Sequence, residues 1–178
     1  MPVCIALFRG INVGGRNSLP MKALRELLGS LGCVNVGTYI QSGNVVFQHA
    51  ATDDCKLSRD IGAAVEKEFG FRPKVLIMTE AELQQAIDDN PFPDATSEPK
   101  SLHVWFFDGK VNNIDQDSIE SLKSESESFF LTDRAFYLHA PDGIGRSRLA
   151  AKVERLLGVA MTARNWRTVS KIFEMTQA

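Results

Sequence analysis

Three stretches of the chain combine glycine, arginine and asparagine in ways that suit an anion. The first is RGINVGGRN, residues 9–17, between a strand-like apolar run and a helix-like one. At such a joint the unpaired N–H groups of a helix start, its positive dipole end and the open backbone at glycine favour phosphate or carboxylate. Arg9 and Arg16 would add charge-assisted hydrogen bonds, Gly14 and Gly15 backbone donors, and Asn12 an orienting bond. The glycines at 10, 14 and 15 fit neither GxxxxGK[ST] nor GxGxxG, so a tight turn that needs small residues competes with the cradle.

The second stretch is HAPDGIGRSRL, residues 139–149. Asp142-Gly143 makes a turn and Ser147 suits a helix cap, but Arg146 and Arg148 in a first helical turn oppose the dipole, and a bound anion would account for them. His139 brings the one imidazole of these stretches. The third is TARNWRTVSK, residues 162–171, where Asn165, Trp166 and Arg167 sit at another strand-to-helix joint. Trp166 either stacks on a base or sugar or fills the core. A turn at Gln41-Ser42-Gly43-Asn44 adds Ser42 and Asn44 to the candidates. Residues 9–25 and 146–171 together hold eleven of the 20 Lys and Arg and a single acid, Glu154.

The elements that position these stretches follow from periodicity and punctuation. Val3 to Phe8 reads as a strand. Ser18 and Pro20 open a helix with Leu24, Leu27, Leu28 and Leu31 on one face, closed by Gly32. Val34 to Ile40 and Val45 to Gln48 form a hairpin, Leu57 to Phe69 a helix stopped by Gly70, and Lys74 to Met78 a strand. Thr79 caps a trailing helix over Glu80 to Asp89.

The order then repeats. Strands are expected at Leu102–Phe107, Ser128–Leu131, Ala135–His139 and Val159–Arg164, and helices at Ile114–Lys123, Ser147–Leu157 and Trp166–Met175. The expected fold is therefore α+β, with two ferredoxin-like β-α-β-β-α-β halves, each with a trailing helix, packed into one compact molecule. The halves would be 1–90 and 102–178, joined by the Pro-, Ser- and acid-rich linker 91–101.

Composition narrows the function classes. The chain has 178 residues, 44% of them hydrophobic and 24% charged, as in ordinary soluble proteins. No apolar run reaches the ~20 residues of a membrane span, and Val3 to Phe8 is too short for a signal segment. Cys4, Cys33 and Cys55 have neither disulfide-framework nor metal spacing, which points to a reducing cytoplasm and to no metal. No cofactor is called for. Net charge is −2 but polarised: +3 over residues 1–79, −10 over 80–133 and +5 over 134–178. The acids at Glu80, Glu82, Asp88 and Asp89 read as a solvated helix face. There is no HExxH and no GxSxG, and the stacking aromatics of an RNA-recognition sheet are missing.

Five ordered segments, ALFRGINVGGRNSLPM, YIQSGNVVF, NPFP, YLHAPDGIGRSRL and TARNWRTVSK, resemble the signature segments of the bacterial "domain of unknown function 1697" family, from residue 4 to about 175. The resemblance implies a two-part α+β protein with ferredoxin-like halves and brings no activity with it. The leading expectation is a binding site for a small phosphate- or carboxylate-bearing ligand where Arg9, Asn12, Gly14, Gly15, Arg16, Ser42, Asn44, Arg146, Arg148, Asn165, Trp166 and Arg167 converge. Single-stranded nucleic-acid binding on the same basic surface is the alternative. A protein-interaction module, with the acidic middle segment facing a basic partner, is the third.

Overall fold

The computed structural model describes residues 1–50, 53–112 and 114–178. The chain divides into two units, residues 1–85 with 171–178, and residues 86–170. Each contains one four-stranded antiparallel sheet.

In the first unit the chain runs β1 (Val3–Arg9), α1 (Met21–Ser30), β2 (Val34–Tyr39), β3 (Asn44–Gln48), α2 (Asp54–Phe69), β4 (Lys74–Thr79) and the start of α3 (Glu80–Asp88), whose residues from Ala86 on group with the second unit. The sheet order is β2-β3-β1-β4. β1 lies in the middle, with Ala6 opposite Val45 on one side and Ile77 on the other. Every second residue of β1, Cys4, Ala6 and Phe8, joins Leu24 and Leu28 of α1 and Leu57, Ile61 and Val65 of α2 in one apolar cluster. The alternate residues Ile5 and Leu7 are buried as well, which is why the strand reads as an unbroken apolar run.

The second unit repeats the plan with β5 (Leu102–Phe107), α4 (Gln116–Leu122), β6 (Ser128–Leu131), β7 (Ala135–His139), α5 (Arg148–Leu157), β8 (Met161–Asn165) and α6 (Trp166–Thr176). Its sheet order, β6-β7-β5-β8, matches the first position for position. Trp105 and Phe107 of β5 pack with Phe136 and Leu138 of β7, Met161 of β8, and Leu149, Val153 and Leu157 of α5. The Tyr137 hydroxyl, buried, donates to the Ala86 carbonyl at 2.6 Å, and burial raises its pKa.

Three details depart from the sequence expectations. Ser18 does not cap α1: Pro20 holds the cap position with no side-chain bond, and its fixed φ of −61° starts the helix instead. The stretch 91–101 is not bare linker, because Pro93–Ser97 forms a turn of 3-10 helix grouped with the second unit. Residues 171–178, which hold the last part of α6 and the two residues after it, group with the first unit rather than the second. Among the described residues no helix is long and apolar enough to cross a membrane.

Candidate functional site

In the first unit the β1–α1 loop and the β2–β3 turn lie at one end of the sheet. The Phe8 N–H donates to the Gly43 carbonyl at 2.8 Å, and Leu7 stands opposite Asn44. The glycine loop is a miniature hairpin. Arg16 N–H donates to the Val13 carbonyl at 3.0 Å, and Gly14 and Gly15 at φ 57° and 74° make the tight turn between them. Nothing lies within 4 Å of a Cβ built on either glycine, so these positions need glycine for its dihedral angles and not for space.

Asn12 fastens this hairpin. Its side-chain amide donates to the Leu19 carbonyl at 2.9 Å and the Gln41 carbonyl at 2.8 Å, while its Oδ1 accepts from the Leu19 N–H at 2.7 Å. Asn17 donates to the Gly10 carbonyl at 2.8 Å. Asn44, 0% exposed, donates to the Tyr39 carbonyl and to Ser42 Oγ, each at 3.0 Å. The amide groups of Asn12 and Asn44, expected to orient a ligand, thus hold the two loops in shape. Gly43 sits where the loops meet. It has φ 77°, and a Cβ there would overlap Phe8 Cβ and come within 2.7 Å of Ile11 Cδ1. Arg9 closes β1 opposite Lys74, and Arg16 is exposed at the hairpin tip.

In the second unit, two basic stretches come to one end of the other sheet. Ala140 N–H donates to the Ser101 carbonyl at 2.8 Å, and Trp166 N–H to the Pro99 carbonyl at 3.1 Å. The segment just before β5 therefore lies between the β7–α5 loop and the β8–α6 joint. Arg146 ends a 3-10 turn, Ile144–Arg146, and is exposed. Arg148 opens α5, which Ser147 caps by accepting from the Ala150 N–H, and its guanidinium reaches the Ser121 carbonyl at 3.5 Å. Asn165 caps α6 by accepting from the Thr168 N–H at 3.0 Å. Arg167 is exposed. Trp166 is only 8% exposed, so it offers no open ring face to a base or sugar. Burial lowers the Arg164 pKa to about 10, which leaves it charged at neutral pH.

A cleft of about 330 Å³ opens at this end, lined by Glu98, Lys100, Ser101, His139, Pro141 and Gly143 among others. His139 also stands against Phe92, ring centroids 6.1 Å apart. Lys100 and Ser101 were not legible as site residues, because they belong to the stretch that reads as linker. The signal that brings them in is the pairing of β5 with β7, Leu102 opposite His139, which no local pattern announces.

A family model described as "Protein of unknown function (DUF1697)" matches residues 1–137. A solved structure, that of conserved bacterial protein SP0830 from Streptococcus pneumoniae, is similar over 98% of both chains, with 24% sequence identity and a TM-score of 0.74. It shares the fold. No curated protein matches the chain.

Proposed function

The chain belongs to the family described as protein of unknown function (DUF1697), and we propose that it binds a small phosphate- or carboxylate-bearing ligand at the second unit's cleft. One observation carries this: the cleft has Lys100 and His139 in its lining, with Glu98 as the carboxylate there, and the loop that walls it brings Arg146 and an Asp142 whose carboxylate accepts from the Ser126 hydroxyl. The Lys100 ammonium gives an anion a charge-assisted donor, the His139 ring N–H offers another hydrogen bond, and the exposed guanidinium of Arg146 in the same loop suits a bidentate contact. The Ser101 hydroxyl donates to the Glu98 carbonyl at 2.7 Å, which fixes it as part of the wall. Arg148 and Arg167, in the first turns of helices that start at this end of the sheet, raise the local positive potential. In the first unit, the tip at Gly14, Gly15 and Arg16 projects into solvent and lies outside this proposal.

A thermal-shift screen tests it, with inorganic phosphate, nucleotides, sugar phosphates and di- and tricarboxylates as probes. One class should raise the melting temperature, because a ligand at ~100-fold its Kd adds about 2.7 kcal/mol to the folded state. Lys100→Ala and Arg146→Ala should abolish that shift, and Arg16→Ala should keep it. A screen with no shift overturns the proposal. So does a shift lost in Arg16→Ala and kept in Lys100→Ala.

A further inference from the structure

We propose that the solvent-facing end of the first unit docks an acidic segment of another protein through Val13 and Ile40, independently of the second unit's cleft. The motivating observation is the backbone of Ile40. Among the described residues, four other than glycine have positive φ, and three are asparagines: Asn12, Asn17 and Asn35. Asparagine tolerates that region, whereas a β-branched side chain does not. Ile40 occupies it at φ 50° with its side chain 51% exposed, so burial does not repay the strain. Asparagine or glycine would hold the turn better.

Val13 is the second unexplained apolar residue, 65% exposed on the hairpin tip at the same end of the sheet. The bond from Asn12 Nδ2 to the Gln41 carbonyl fastens the two loops together, so this end is a fixed surface. A preordered surface loses little entropy on binding.

Charge defines the partner. Residues 9–20 and 39–44 contain Arg9 and Arg16 and no carboxylate, and Lys74 lies beside Arg9. The complementary ligand places an apolar side chain among Asp or Glu residues. A small anion would make no use of the apolar pair. Two β-branched side chains are also little apolar area for lying in a membrane surface. A protein segment meets both requirements.

Selection from a random heptapeptide phage library on the whole protein tests the proposal, with Ile40→Asn as the comparison because asparagine accepts the same backbone. The expected result is a consensus with an apolar residue flanked by Asp or Glu. Its synthetic peptide should bind about ten-fold more weakly to Ile40→Asn and to Arg16→Glu. Ile40→Asn should melt no lower than the parent protein, which shows that the loss is not unfolding. The absence of a consensus, a consensus without acids, or equal binding by the variants overturns the proposal. Sedimentation with vesicles of phosphatidylcholine and phosphatidylserine that Arg16→Glu abolishes would reassign the end to lipid. Concentration-dependent self-association that Ile40→Asn abolishes would reassign it to a second copy of the chain.

Discussion

In the first unit the amides of Asn12, Asn17 and Asn44 all turn back onto carbonyls or a hydroxyl of the loops that carry them. In the second unit the comparable polar groups, Ser147 and Asn165, accept from helix N–H groups, and the loop between β7 and α5 borders a cleft. Both ends are rich in arginine and glycine. The difference lies in where the short polar side chains spend their hydrogen bonds. Spent across two loops, they build a braced, exposed tip. Spent along a helix start, they only define where the helix begins, and the neighbouring strand ends shape the concavity. Glycine and arginine content therefore says that a loop sits at a strand-to-helix joint, and the asparagines say whether that loop is a tip.

The largest effect expected from this contrast is at Gly43. Gly43→Ala meets both a left-handed backbone and overlap with Phe8 and Ile11, where the first unit's two loops join. A loss of about 3 kcal/mol is expected in urea unfolding, from the strain of the backbone plus overpacking. Gly14→Ala and Gly15→Ala have the backbone term alone and should each cost about 1 kcal/mol. Equal losses at all three positions would mean that the two loops are not held against each other.

Asn12→Ala comes next. It removes three side-chain bonds, to Leu19 twice and to Gln41, and puts alanine at φ 53°, which asparagine tolerates better; the two together should cost about 2 kcal/mol at a partly solvated site. Ser147→Ala removes one cap bond in the second unit and should cost about 1 kcal/mol. Hydrogen exchange separates the two: Asn12→Ala should speed exchange at Leu19 and in the 40–43 turn, whereas Ser147→Ala should speed only the first turn of α5. If Asn12→Ala leaves the turn protected, the amide is not what fastens the loops.

Much of the fold was legible because its signals are local. Leu102–Phe107, Ser128–Leu131 and Ala135–His139 are strands at the expected bounds. Thr79 and Glu82 bond each other's backbone N–H groups, and Ser147 and Asn165 cap the helices that follow them. Where the sequence was silent, the cause lies far along the chain. Asn12 reads as a ligand donor until Gln41, 29 residues away, turns out to be its partner. Lys100 and Ser101 read as linker until β5 pairs with β7. Gly43 reads as an ordinary turn glycine until Phe8 and Ile11 close on it.

The smallest of these effects compares a histidine from each unit. In the first, the His49 ring nitrogen Nε2 lies 3.2 Å from the Leu31 carbonyl. In the second, His103 lies between Leu138 and Asn165 on neighbouring strands, its ring 6.0 Å from that of Trp105, and among the described residues its buried Nδ1 has no hydrogen-bond partner. Burial lowers the His103 pKa from 6.5 to about 4. The folded state therefore holds a neutral ring over a range in which the unfolded chain is protonated. Above pH 6.5 the ring is neutral in both states and stability is unaffected. As pH falls from about 6.5 to about 4, the unfolded state gains the proton first and stability declines; below that the loss is complete. The ring keeps some solvent contact, so the loss is on the order of 1 kcal/mol, well below the full linkage value. Urea unfolding at pH 7 and pH 4.5 measures it. His103→Phe should reduce the difference between the two pH values. An acid sensitivity left unchanged by His103→Phe would mean that the buried ring of the second unit is not its source.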